Sequence, residues 1–142
     1  MKLALHHIGK VVKDIQSEYD SYLQMGFSIV PGFEANRHVK EDREQDVLVG
    51  AVELGALVIE LLEPVSDKSP IATFQKKGGG FHHVCYEVED CAVAISEIKA
   101  SGFARQITPV TTSVWHGRPV VFFFNKVSGV FELIGSLEVR SA

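Results

Sequence analysis

Disulfides, membrane spans and a basic face are all missing from this sequence, and each absence removes a class of function. Only two cysteines, Cys85 and Cys91, occur in 142 residues, too few for a cross-linked secreted scaffold. Uninterrupted apolar runs such as Val120 to Phe124 stop at five residues, far below the ~20 that a membrane helix needs. Acidic residues outnumber basic ones by 18 to 14, for a net charge of −4. That balance gives no general grip on nucleic acid and no attraction to an anionic membrane surface. The N-terminal Met1-Lys2-Leu3-Ala4-Leu5 reaches histidine before a signal-peptide core can form. The expectation is a soluble cytoplasmic protein. What is present is a 46% hydrophobic, 23% charged chain, enough for the core of a single domain. It also holds six histidines, four of them in two adjacent pairs, His6-His7 and His82-His83.

The two pairs head two copies of one pattern. HHIGKVVKDIQSEYDSYLQMGF starts at His6 and HHVCYEVEDCAVAISEIKASGF starts at His82. His7 matches His83, Asp14 matches Asp90, Gly26 matches Gly102 and Phe27 matches Phe103, each at an offset of 76. A repeat of this length marks a duplicated supersecondary unit. The repeats run over about 3–64 and 81–137, with a short helical connector at 65–80.

Each copy opens with alternation of period two, a strand that sends the two histidines of a pair to opposite faces. Asp14 and Asp90 sit where helix N-caps belong. Ile15, Tyr19, Tyr22 and Leu23 then give one apolar helix face, and Cys91, Ala94, Ile95 and Ile98 the other. Gly26 and Gly102 stop the helices. Three strands are expected after each: 27–33, 47–54 and 56–62 in the first half, and 103–109, 119–124 and 130–133 in the second. In the connector, Ser69-Pro70 reads as an N-cap and first helical residue, with the helix running to Lys77. The Gly78-Gly79-Gly80 run precedes a strand, which is the wrong context for a phosphate loop and favours a flexible entry into the second half. The fold class is α+β: two tandem βαβββ modules.

Four residues are candidate metal ligands. His7 and His83 are repeat-equivalent. Glu60 lies mid-strand in Val58-Ile59-Glu60-Leu61-Leu62, and Glu132 in Val130-Phe131-Glu132-Leu133-Ile134. A carboxylate inside an apolar strand is costly unless paired, protonated or bound to metal. Two such strands, each closing a half that begins with a histidine pair, point to one shared ion. Imidazole with carboxylate suits Zn²⁺, Co²⁺, Ni²⁺, Mn²⁺ or Fe²⁺. His6 and His82, on the opposite face, are expected to pack against the helices. His38 is expected to be solvated, and His116, beside Trp115, either lines a substrate mouth or caps a turn. Cys85 shares parity with His83 and reads as a buried, inert thiol.

With these residues in place the chain resembles the vicinal oxygen chelate superfamily, the glyoxalase/bleomycin resistance/dioxygenase fold, over nearly its whole length. Within that superfamily it is most similar to the methylmalonyl-CoA epimerase branch. The resemblance is carried by His6-His7-Ile8-Gly9, the ELLEP run from Glu60 to Pro64, Ser69-Pro70-Ile71-Ala72 with Phe74, Gly80-Phe81-His82-His83-Val84 and Gly129-Val130-Phe131-Glu132-Leu133. It implies a curved mixed sheet forming a cup with helices outside. It implies that His7, Glu60, His83 and Glu132 hold one divalent ion (Zn, Co, Ni or Mn), with Glu132 also a catalytic acid/base. The activity implied is a metal-dependent epimerase or isomerase working through a stabilised enolate, with an acyl-CoA thioester as the candidate substrate. The alternatives are a glyoxalase I-like lyase with the same ligand set, and a non-catalytic small-molecule binder. A homodimer is implied as well. The chain departs from the epimerase pattern in two places. Val49 aligns with that branch's second proton-transferring carboxylate, with Glu44 and Glu53 nearby. Phe122-Phe123-Phe124-Asn125-Lys126 replaces its histidine-proline turn.

Overall fold

The computed structural model describes residues 1–33 and 36–136. The chain packs as two compact units. One is His7–His82, and the other is Met1–His6 together with the residues from His83 on.

In the His7–His82 unit, strand β1 (Ala4–Val11) enters from the other unit's N-terminal residues, and helix α1 (Ile15–Gln24) follows. The Asp14 carboxylate accepts from the Ser17 backbone N–H at 3.1 Å and caps the helix as expected. Strands β2 (Ser28–Ile29), β3 (Lys40–Asp42), β4 (Val47–Leu54) and β5 (Leu57–Pro64) complete the sheet, in the order β2-β4-β5-β1 with β3 beside β4. β4 and β5 form an antiparallel hairpin, and β5 runs parallel to β1. Helix α1 lays Ile15, Tyr19 and Tyr22 on Val52, Ile59 and Leu61. Because β5 alternates faces, Glu60 is turned to the side away from α1. Leu23, expected on the apolar face, is exposed.

Two expected features differ here. The strand at 27–33 shrinks to Ser28–Ile29, because Pro31 has no ladder donor and Gly32 takes φ 103°. The connector helix, α2 (Ala72–Lys76), begins later than Ser69-Pro70 suggests. The Ser69 hydroxyl and carbonyl accept from Ile71 and Ala72 N–H at 3.4 and 3.1 Å, so Ser69-Pro70-Ile71 is a turn. The glycine run has a steric reason as well. All three glycines have positive φ, and a Cβ on Gly79 would lie 2.7 Å from the Val11 carbonyl oxygen.

The second unit repeats the plan. Strand β6 (Gly80–Glu87) leads into helix α3 (Cys91–Ser101), capped by Asp90 on Val93 N–H at 3.1 Å and ended by Gly102 in the left-handed region. Strands β7 (Arg105–Gln106), β8 (Thr111–Thr112), β9 (Pro119–Asn125) and β10 (Gly129–Ile134) follow. The order is β6-β10-β9-β7 with β8 beside β9. β6 and β10 are parallel, and β9 and β10 antiparallel. Cys91, Ala94 and Ile98 of α3 pack on Val121, Phe123, Phe131 and Leu133, which again turns the intervening Glu132 away from the helix.

Candidate metal centre

Each unit builds one histidine–glutamate pair by the same register. In the His7–His82 unit, Gly9 of β1 stands beside Glu60 of β5, so His7, two residues back, shares the Glu60 face. His7 Nε2 lies 3.5 Å from Glu60 Oε1, with the imidazole 2% and the carboxylate 12% exposed. In the second unit, Cys85 of β6 stands beside Glu132 of β10, and His83 shares that face. His83 Nε2 lies 3.5 Å from Glu132 Oε1, with both side chains buried.

The separation of 3.5 Å is informative. An N–H···O hydrogen bond centres near ~2.9–3.0 Å. Two ligands about 2.1 Å from one tetrahedral ion lie about 3.4 Å apart. Both pairs therefore have the spacing of two donors on one cation. Neutral imidazole and carboxylate are also the donor types that intermediate divalent ions accept. The residues present fit the ion that the sequence implies.

The surroundings of the two pairs differ. On β9, Phe122 stands opposite Glu132, and its ring meets the His83 ring edge-on at 5.0 Å. Cys85, Val120 and Ile134 form a buried apolar cluster beneath that pair, so Cys85 is the buried thiol expected. On β4, Ala51 stands opposite Glu60 and Val49 opposite Leu62. Val49 is buried on the Glu60 face. Glu53 lies further along the same strand, and Glu44 is exposed in the turn between β3 and β4.

The other histidines divide. His82 packs edge-on against Phe74 of α2 at 5.0 Å. His6, expected against the helices, meets a loop. Its ring meets His116 at 4.6 Å and Trp115 at 6.3 Å, both in the loop before β9. His116 also takes part in a turn, its N–H donating to Ser113 Oγ at 3.2 Å. His38 is half-buried against the Tyr19 ring. Nearby, Arg118 donates to Glu87 at 2.6 Å and to the Gly135 carbonyl at 2.6 Å. That guanidinium holds the Glu87 carboxyl below its usual range. Sequence reasoning missed the role of Phe122. Its signal was present in the aromatic run 122–124, whose first and last members alternate onto the glutamate face.

The family model described as the glyoxalase/bleomycin resistance protein/dioxygenase superfamily matches residues 6–122. The chain belongs to that superfamily. Among relatives in it, the chain is 36% identical over 124 residues to the mitochondrial methylmalonyl-CoA epimerase of Dictyostelium discoideum, covering 86% of this chain and 70% of that one. It is 34% identical over 125 residues to the ethylmalonyl-CoA/methylmalonyl-CoA epimerase of Cereibacter sphaeroides, covering 86% and 88%. A variant of the Streptomyces coelicolor methylmalonyl-CoA epimerase, solved in complex with 2-nitronate-propionyl-CoA, superposes with a TM-score of 0.80 at 24% identity, over 99% of this chain and 100% of that one. The superfamily's fold, built from a mixed sheet with few helices, is thus this chain's fold. No helix among the described residues is long and apolar enough to cross a membrane.

Proposed function

We propose that the chain is a metal-dependent epimerase of α-carboxylated acyl-CoA thioesters of the methylmalonyl-CoA type, with His7, Glu60, His83 and Glu132 as the ligands of one divalent ion. The observation that carries this reading is the His–Glu pair repeated at 3.5 Å in both units, in a chain whose relatives bear the epimerase name. Two carboxylates and two neutral imidazoles balance the charge of a divalent cation. When bound, the ion supplies Lewis acidity toward the substrate's carbonyl oxygens, which makes the α-hydrogen more acidic.

The chain's own groups do the rest. Glu132 would help hold the ion and would take the α-proton from one face of the substrate, passing it on to solvent, while a solvent proton delivered to the opposite face completes the inversion. Phe122, Val120 and Ile134 give it apolar surroundings, which strengthens the electrostatics of that transfer. Around Glu60, Ala51, Val49 and Leu62 form a buried apolar face. Val49 and Ala51 have no proton to exchange, and in this reading Glu132 carries the acid/base role.

The decisive experiment is deuterium wash-in at the α-carbon of methylmalonyl-CoA, with turnover of a glutathione hemithioacetal run beside it. Exchange without hemithioacetal turnover is the expected result. Hemithioacetal turnover without exchange would replace the epimerase with a glyoxalase-type lyase, and neither activity would leave a binder. Metal analysis after mild purification should find one ion per chain in the wild type and a loss in Glu60→Gln and His83→Ala. The reading includes a two-fold homodimer, the commonest closed assembly, which sedimentation equilibrium tests.

A further inference from the structure

The Gly-Phe that follows the helix of each repeat, Gly26-Phe27 and Gly102-Phe103, ends up in two different environments. In the His7–His82 unit Phe27 is 8% exposed and lies edge-on to Tyr22 at 4.9 Å. In the second unit Phe103 is 47% exposed, yet it is held in place. Its ring lies parallel to that of the buried Phe131, with 4° between planes and 6.1 Å between centroids, and Phe131 stacks in turn on Phe123 at 5.5 Å. Phe103 is thus the outermost ring of a stack that starts in the core. A fixed aromatic ring left in water, where the repeat buries its counterpart, offers a surface to another planar group.

Phe103 lines a cavity of about 560 Å³ with Arg105, Phe124, Asn125, Lys126 and Val127. The lining holds two cations and no carboxylate, in a chain whose net charge is −4. Among the described residues neither cation is in an ion pair. Asn125 ties the walls together: its Nδ2 donates to the Phe103 carbonyl, and its Oδ1 accepts from the N–H groups of Val127 and Ser128 at 2.8 and 3.0 Å. The loop carrying Phe103 and the turn carrying Lys126 are therefore fixed to each other. Phe124 stands opposite Arg105 on one side and Val130 on the other, so these three share the Glu132 face, one row beyond Phe122 and Glu132. With strands about 4.8 Å apart and residues about 3.4 Å apart, the Arg105 and Glu132 Cα atoms are on the order of 12 Å apart. A short acyl group does not span that distance. The pantetheine arm of a CoA thioester does.

We propose that this cavity docks the nucleotide end of the CoA thioester, with the adenine stacked on Phe103 and the phosphates against Arg105 and Lys126. The assignment rests on the epimerase reading above, and it leaves the oxygens around the reacting carbon to the ion. Charge complementarity selects the occupant: a nucleotide brings several negative charges and one flat ring, and the lining offers two unpaired cations beside one exposed ring. Stacking suits adenine because every base has a π-face, and a guanidinium and an ammonium are the ordinary partners of phosphate.

The test compares wild type, Phe103→Leu, Phe103→Tyr and the double variant Arg105→Gln with Lys126→Gln on two substrates: methylmalonyl-CoA, and the methylmalonyl thioester of pantetheine, which lacks adenine and every phosphate. The readout is α-deuterium exchange, with metal content and Tm measured on each variant. Phe103→Leu keeps an apolar contact with Phe131 but loses the ring, and should raise KM for methylmalonyl-CoA about 5- to 100-fold. Phe103→Tyr should restore most of it. The double variant should raise the same KM about 3- to 30-fold, and the difference from wild type should shrink as salt is added. Neither change should move the KM of the pantetheine thioester. An equal loss on both thioesters, or wild-type KM for methylmalonyl-CoA in Phe103→Leu and in the double variant, would overturn the assignment. Titration calorimetry with CoA itself separates this site from the reaction. Weaker CoA binding in the variants supports the site even if wild type exchanges neither thioester, a result that would refute only the epimerase reading, whereas CoA affinity equal in wild type and variants would refute the site.

Discussion

Replacing Tyr19 by phenylalanine removes a single oxygen that holds the outer edge of β4 beside the glutamate strand. β3 pairs with β4 over Val47–Val49, and β2 pairs with it over Val52–Glu53. The edge at Gly50–Ala51 falls between them. The Tyr19 hydroxyl fills that gap: it accepts from the Ala51 N–H at 3.2 Å and donates to the His38 carbonyl at 2.6 Å. Ala51 is fully buried and Tyr19 is 3% exposed. Burial also pushes the Tyr19 phenol above its ordinary range, so it stays a donor. In Tyr19→Phe the Ala51 N–H has no acceptor, at about 1–3 kcal/mol, and the half-exposed His38 carbonyl loses a bond worth about 0.5–1.5 kcal/mol net. The sum is about 1.5–4.5 kcal/mol. At about 3 °C per kcal/mol for a chain of this size, Tm should fall by about 5–13 °C.

The assay is urea and thermal unfolding of metal-free protein, since bound metal adds its own concentration-dependent stabilisation. Hydrogen exchange at the Ala51 amide gives a local readout that should speed up beyond the global change. A loss under about 0.5 kcal/mol, or an unchanged Ala51 amide, would refute the argument that this hydroxyl stands in for a missing ladder partner.

Three further outcomes follow from neighbouring observations. Gly50→Ala places a Cβ 2.3 Å from Tyr19 Oη and 3.1 Å from Ile15 Cγ2; it should destabilise by at least about 1–3 kcal/mol, and by less in a Tyr19→Phe background, as a double-mutant cycle would show. Glu87→Gln should cost no more than about 1 kcal/mol at neutral pH. Because Arg118 lowers the folded-state pKa of Glu87, that difference is full above the ordinary value of 4.5 and disappears as pH falls through the folded value, which pH-dependent unfolding checks. Removing metal with a chelator should lower the Tm of the wild type, by about 2.7 kcal/mol of stability per hundredfold excess over Kd. The same treatment should leave Glu60→Gln nearly unmoved.

What the sequence made legible was whatever depends on short-range pattern. Asp14 and Asp90 are caps because a β-region residue with a short acid before an apolar-periodic run has one good use for its carboxylate. β4 was delimited at both ends because Val47–Leu54 runs from a polar turn to Gly55. The His7–Glu60 and His83–Glu132 pairs were legible because parity and repeat offset together fix the face. What stayed hidden depends on non-local pairing. β3 reads Lys-Glu-Asp, a charged edge of the kind that keeps sheets from growing, and no alternation betrays it as a strand. β8 is two threonines long. His6 was assigned to the helices by parity alone, yet its neighbours come from a loop over a hundred residues away in sequence. Leu23 keeps helical spacing, but the apolar face of α1 is already filled by its tyrosines.

A duplicated fold offers a control that single folds lack. Where both copies keep a residue, as with the histidine and glutamate of each pair, the simplest physical reason is a demand shared by both, and the ion proposed above would make that demand. Where the copies differ at matched positions, the demand is local to one side. Phe122 against Ala51 is such a difference. It puts an aromatic ring beside one glutamate and a small side chain beside the other. A ring over Glu132 suits a group that must be dry to move a proton. The asymmetry therefore gives the two glutamates of one repeated plan different surroundings, and the proposed proton transfer by Glu132 draws on the half that carries the ring.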